Sequence, residues 1–100
     1  MSLYFVQKLL YQLNRDEKLR ELFETDVDKV ISNYELSGEE IDAIKKSDIG
    51  FLYVLGVNGQ LLMHFAAFRG LAWDEYLQAM RDGVDIYGPV RAGIYAMTDY

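Results

Sequence analysis

The chain has 100 residues, of which 51% are hydrophobic, and a formal net charge of −6 from 16 acidic and 10 basic residues. This length and apolar fraction predict one folded domain with its own hydrophobic core. The sequence contains no cysteine, which excludes disulfides, zinc-finger sites, iron–sulfur sites and a thiol nucleophile.

The charge pattern limits the kinds of partner. No stretch is rich in Lys or Arg, so the basic surface that nucleic acids and anionic membranes require is missing. No apolar run reaches the roughly 18 residues of a membrane span, and the N-terminus lacks the basic segment of a secretory signal. We therefore expect a cytoplasmic protein that binds neither nucleic acid nor membrane.

The single histidine, His64, limits metal chemistry. A mononuclear non-haem iron site needs two histidines and a carboxylate, and a catalytic zinc site needs two or three nitrogen or sulfur ligands. Neither a phosphate-binding glycine loop nor a nucleophile-elbow motif is present. We expect this chain to bind no cofactor and not to be an enzyme alone.

Helical periodicity begins at the N-terminus, where Ser2 to Leu13 predicts the first helix. Its apolar residues recur at helical spacing: Val6, Leu9, Leu10 and Leu13. Asn14 predicts the cap of a second helix, with Glu17 three residues further on. The apolar residues that follow keep a helical spacing. Thr25 or Asp26 can cap a further helix and so split this stretch into two short helices.

Ser37 and Glu40 form the pattern of a capping box, and Leu36 and Ile41 occupy the two positions of a hydrophobic staple. This pattern predicts the start of a helix at residue 37. The pair Ser47-Asp48 offers the cap of another helix.

The segment from residue 49 to residue 68 fits two structures. Asn58-Gly59 between apolar runs is typical of a β-hairpin. However, neither run alternates apolar with polar residues, and no other segment supplies the strands that an isolated hairpin needs. The spacing of four apolar residues instead fits one face of a helix: Leu61, Leu62, Phe65 and Phe68. We favour two helices, with Asn58 capping the second and Gly70 ending it.

The last periodic segment predicts a helix from Ala72 to Arg81, which Asp82-Gly83 would end. The fold class is therefore all-α, a single domain of about six short helices packed around one core. We assign residues 1–82 to this helical domain and residues 83–100 to an irregular C-terminal tail.

Four residues between positions 64 and 69 are candidates for an interface or a ligand pocket. His64 is more simply interpreted as a partly buried helical histidine with one hydrogen-bond partner than as a chemical group. Arg69 follows an apolar run and offers a rigid donor fork suited to a carboxylate or an interface. Phe65 and Phe68 accompany them on the same segment.

The acidic residues Glu39, Glu40 and Asp42 are interpreted as a solvated group that stabilises a helix N-terminus, rather than as an acid–base pair. In the tail, tyrosines occur together with arginine, a composition typical of protein interfaces. Tyr87 and Tyr95 are the tail tyrosines that we select.

Several stretches together resemble a known family. They are Tyr11–Asp16, Leu22-Phe23, Asp26, Tyr34–Glu40, Ser47–Val57 and Leu61–Leu71. The sequence resembles the LigA-type small alpha subunit of type II extradiol ring-cleavage dioxygenases of the protocatechuate 4,5-dioxygenase class. The resemblance implies a helical, non-catalytic subunit that caps the active site of a separate, larger catalytic subunit. That partner would hold Fe(II) through its own two histidines and carboxylate.

The residues expected to form the interface and line the pocket are His64, Phe65, Phe68, Arg69, Tyr87, Pro89, Arg91 and Tyr95. None of them is expected to be catalytic or to bind a metal. The module is also similar to the recognition domain of split borosin precursor peptides. In that alternative, residues 84–100 carry a core that a separate peptide methyltransferase N-methylates. A third hypothesis is that the chain is a free-standing interaction module. Of the three hypotheses, we favour the dioxygenase subunit.

Overall fold

A computed structural model describes residues 2–90 of the chain. Within this range it contains α-helices and no strand, so the predicted all-α class is confirmed. The helices are α1 (Ser2–Arg15), α2 (Glu17–Thr25), α3 (Val27–Ile31), α4 (Gly38–Lys46), α5 (Ile49–Leu55), α6 (Gly59–Phe68) and α7 (Trp73–Tyr87). They pack around one apolar core to which α1, α3, α4, α5 and α6 contribute the most deeply buried side chains.

Side-chain caps set most of the helix starts. A side-chain oxygen of each N-cap residue accepts a hydrogen bond from a backbone N–H in the first turn of α2 to α6. These residues are Asp16, Asp26, Ser37, Asp48 and Asn58. Because such a cap satisfies a backbone donor that has no partner inside the helix, it specifies where the helix begins.

The predicted capping box of α4 is present. The Ser37 hydroxyl accepts from the N–H of Glu40, and the Glu40 carboxylate accepts from the N–H of Ser37 at 2.7 Å. Glu40 is only 4% exposed. Its structural role agrees with the sequence analysis, but the expectation of a solvated carboxylate is wrong at this position, since the box folds Glu40 against the core.

The start of α2 differs from the prediction. Helix α1 continues through Asn14 to Arg15, and Asp16 caps α2 instead. The Arg20 guanidinium donates to the carbonyls of Leu13 and Asn14 at 2.7 and 3.0 Å. These bonds satisfy carbonyls at the C-terminal end of α1, and thereby favour its extension past the predicted end.

Residues 49–68 form α5 and α6, so the helical alternative is confirmed over the hairpin. Gly56 adopts a φ of 105° at the end of α5, which suits glycine because it lacks a Cβ. The Asn58 side chain accepts from the N–H groups of Gln60 and Leu61, as a helix cap does. Gly70 follows α6 with a φ of 90°, as predicted.

Helix α7 continues to Tyr87, so the prediction that Asp82-Gly83 ends it at Arg81 is wrong. Gly83 lies in the helix interior and faces Gly50 of α5. A Cβ added to Gly83 would lie 2.4 Å from backbone atoms of Gly50. Gly83 therefore serves close helix packing and does not terminate the helix. The expected division between residues 82 and 83 falls inside α7.

Candidate functional site

Arg69 follows α6 and is half-buried, with its guanidinium held from three sides. The guanidinium carbon lies 5.2 Å from the ring centre of Phe23 and 5.6 Å from that of Phe68. Arg69 Nε donates a hydrogen bond of 2.9 Å to the hydroxyl of Ser47. Cation–π contacts and a directed hydrogen bond together fix the orientation of the group.

Three phenylalanines support this arginine. The ring centres of Phe23 and Phe65 are 6.1 Å apart, those of Phe23 and Phe68 are 5.8 Å apart, and those of Phe65 and Phe68 are 6.5 Å apart. Phe23 and Phe65 are buried and Phe68 is half-buried. We call Phe23, Phe65, Phe68 and Arg69 the arginine cluster. It joins α2 to the C-terminal half of α6.

His64 is exposed, so the expectation of a partly buried histidine is corrected. It directly precedes Phe65 of the arginine cluster and lines a cleft of about 310 Å³ formed by α1, α2 and α6. The cleft is lined by Leu10, Leu13, Asn14, Arg20, His64, Phe65, Ala67 and Phe68. Aliphatic and aromatic side chains make up most of this lining, and His64, Asn14 and Arg20 provide the polar groups.

Tyr87, the last residue of α7, contacts α5. Its hydroxyl donates a 2.6 Å hydrogen bond to Oδ2 of Asp48, and its ring meets the Phe51 ring edge-on with centres 4.9 Å apart. The hydrogen bond to Asp48 raises the pKa of Tyr87 above its ordinary value, with smaller contributions from desolvation and the Asp48 charge. Pro89 is exposed. Arg91 and Tyr95 lie outside the described residues.

The turn between α4 and α5 connects the two groups of site residues. Ser47 contacts Arg69, and its neighbour Asp48 contacts Tyr87. From its sequence, Ser47-Asp48 is predicted only as a cap, and this second role is not predicted. The capping pattern was the only local signal, because the partners lie 22 and 39 residues away along the chain.

Apolar side chains are exposed at both ends of α7. Trp73 at the start of the helix is 60% exposed and Ile86 near its end is 71% exposed. Around the helix end, Val84, Tyr87 and Val90 are exposed as well. Exposed apolar residues that lie together are typical of surfaces that bind another protein.

Over residues 6–86 the chain matches the family described as aromatic-ring-opening dioxygenase LigAB, LigA subunit. The match extends from α1 through almost all of α7. The chain belongs to the LigA family. The resemblance noted in the sequence is thereby confirmed, and the chain is classed with subunits of aromatic-ring-opening dioxygenases. No solved structure matches it with significance.

Residues 2–90 contain no group of three His, Asp or Glu side chains placed to hold a metal ion. The single histidine, His64, lines a cleft whose other side chains are mostly apolar. Nor is any helix in this range long and apolar enough to cross a membrane.

Proposed function

We propose that this LigA chain is the non-catalytic small subunit of a cytoplasmic extradiol ring-cleavage dioxygenase. In this proposal it caps the active site of a separate, larger subunit that holds Fe(II). The observation that carries the proposal is the match of residues 6–86 to the LigA subunit family. The iron would bind a catechol-type substrate and dioxygen in the partner subunit, and the chain described here would shape that pocket and exclude water.

The proposed contact residues are His64, Phe65, Phe68, Arg69, Tyr87, Pro89, Arg91 and Tyr95. Two features of the described residues support this choice. Arginine and aromatic side chains, which are enriched in interface cores, form the arginine cluster. In addition, apolar side chains remain exposed around the end of α7, beside Tyr87.

The test is to co-express this chain with the large ring-opening dioxygenase subunit of the native host. We measure co-purification, iron content and ring cleavage of a catechol substrate. We expect the iron to be in the large subunit, none to be retained by this chain alone, and cleavage to be faster with the chain than without it.

Two outcomes would contradict the proposal. Stoichiometric Fe(II) in the isolated chain would place the metal here and not in a partner. Intact-mass analysis gives the second outcome. Additions of about 14 Da in residues 84–100, one for each methyl group, would instead identify a precursor peptide of a methyltransferase.

A further inference from the structure

We infer that Ser47 is a positioning residue that holds the Arg69 guanidinium ready for a carboxylate of the catalytic partner subunit. This inference rests on the function proposed above. Four observations on the described residues support it: the backbone conformation of Ser47, its hydrogen bond to Arg69, the ring contacts of Arg69, and the cleft beside Arg69.

Ser47 occupies a backbone conformation that favours glycine. Its φ of 54° and ψ of 44° lie in the left-handed region, and among residues 2–90 no other non-glycine residue has a positive φ. Ser47 follows the last turn of α4, and its N–H bonds to the carbonyls of Ala43 and Ile44. Glycine is the usual residue at such a helix end because its backbone adopts the conformation without a steric cost. We therefore expect the Ser47 side chain to form a contact that glycine could not form.

The side chain of Ser47 has one contact that explains its presence. Its hydroxyl accepts the Nε–H of Arg69 at 2.9 Å. The rings of Phe23 and Phe68 hold the same guanidinium. Together these contacts occupy Nε and part of the guanidinium faces, and within residues 2–90 the two terminal nitrogens of Arg69 form no hydrogen bond or salt bridge.

The cleft beside Arg69 has space for a side chain from another protein. It measures about 370 Å³ and is lined by Phe23, Glu24, Val27, Lys45 and Arg69. Lys45 is already paired with Asp28 at 2.5 Å, and Glu24 forms no salt bridge to Arg69 within the described chain. Arg69 is thus a half-buried cation without a carboxylate, although the chain carries a net charge of −6.

An acidic side chain of the partner is the occupant that this chemistry favours. A guanidinium whose two terminal nitrogens are free binds a carboxylate through two parallel hydrogen bonds. Because the three contacts already restrict the rotation of Arg69, less conformational entropy is lost when the partner binds. Ser47 would contribute to affinity through this restriction, without contacting the partner.

The experiment compares Ser47→Gly, Arg69→Ala and the double variant with the unmodified chain. Ser32→Ala is the matched control, since Ser32 also follows a helix end but has an ordinary right-handed backbone. We measure the melting temperature of each isolated chain by circular dichroism. We also measure the dissociation constant of each chain for the purified large dioxygenase subunit by calorimetry.

We expect Ser47→Gly to change the melting temperature by less than about 4 °C, because removal of the left-handed cost and loss of the hydrogen bond to Arg69 act in opposite directions. The same variant should weaken binding about fivefold, through loss of the hydrogen bond to Arg69. Arg69→Ala should weaken binding about tenfold or more. In the Arg69→Ala background, Ser47→Gly should have no further effect on affinity, because its effect acts through the arginine. Ser32→Ala should leave affinity unchanged.

A second measurement does not need the partner. In the isolated chain, NMR should show the Arg69 Nε–H exchanging faster with water in Ser47→Gly than in wild type. Unchanged exchange, or unchanged affinity of Ser47→Gly for a subunit that wild type binds, would overturn this inference alone. Failure of wild type to bind the iron subunit would overturn both this inference and the proposed function.

Discussion

Asp48 uses its two carboxylate oxygens for two different elements. Oδ1 accepts the N–H of Phe51 at 3.1 Å and so caps α5, and Oδ2 accepts the hydroxyl of Tyr87 at 2.6 Å. A single residue thus begins one helix and attaches the end of another. The bond also favours the protonated form of Tyr87, which is why its pKa is raised.

Two further tyrosines have a raised pKa, in both cases mainly because burial disfavours the charged form. They are Tyr34, near the charge of Asp16, and Tyr76, near Tyr53. In the unfolded chain each tyrosine loses its proton near pH 10. Between that pH and the higher folded-state pKa, the folded chain binds more protons than the unfolded chain.

We therefore predict that the free energy of unfolding decreases as the pH rises above 10. The stabilising contribution of the three tyrosines is complete below pH 10 and is lost as the pH rises through their folded-state pKa values. Urea unfolding at pH 8.5, 10 and 11 measures this slope. Tyr87→Phe should reduce it, because the substitution removes the hydroxyl that donates to Asp48. Equal slopes for Tyr87→Phe and wild type would contradict the prediction.

The backbones of α5 and α7 approach each other closely at Gly50 and Gly83. A Cβ added to Gly50 would lie 2.6 Å from the carbonyl oxygen of Ala79 and 2.7 Å from the Cα of Gly83. These distances are too short for any side chain, and the neighbouring atoms are backbone. The two glycines therefore set the distance between the helices.

We predict that Gly83→Ala lowers the free energy of unfolding by about 2 kcal/mol, because α5 and α7 must separate to admit the methyl group. Gly50→Ala should have a similar effect. In an exposed helix the same change would stabilise by about 1 kcal/mol. Gly59→Ala is the control, since no atom lies within 4 Å of a Cβ built there. Urea midpoints give the comparison, and a stabilised Gly83→Ala would contradict the close packing.

At the scale of the whole molecule, residues 83–87 are part of the helical domain. They contribute the contact of Gly83 with Gly50 and the contacts of Tyr87 with Asp48 and Phe51. Helix α7 packs chiefly on α5, which also contacts α4 and α6. Loss of the end of α7 would therefore expose the N-terminal half of α5.

We predict that a chain ending at Asp82 melts several degrees below a chain ending at Tyr87. For a domain of this size, about 1 kcal/mol corresponds to roughly 4–8 °C. Thermal unfolding followed by circular dichroism compares the two. The same melting temperature for both would place the physical domain boundary at residue 82, as the sequence suggested.

The caps show what could be predicted locally. The box between Ser37 and Glu40, the cap at Asn58 and the helix end at Gly70 were predicted correctly, because each depends on residues within three or four positions. The cap of α2 was misplaced at Asn14, since the bonds from Arg20 that extend α1 come from the next helix.

The sequence by itself determined the helical class, most helix starts and the resemblance to LigA subunits, because periodicity, capping and family patterns are all written along the chain. Only the tertiary structure decided the continuation of α7 through Gly83 and the meeting of Arg69 with Ser47. The physical reason is the same in both cases. Local sequence predicts a helix end at Gly83 and a cap at Ser47. The role of each residue depends on a partner that is distant along the chain, the backbone of Gly50 for Gly83 and the guanidinium of Arg69 for Ser47.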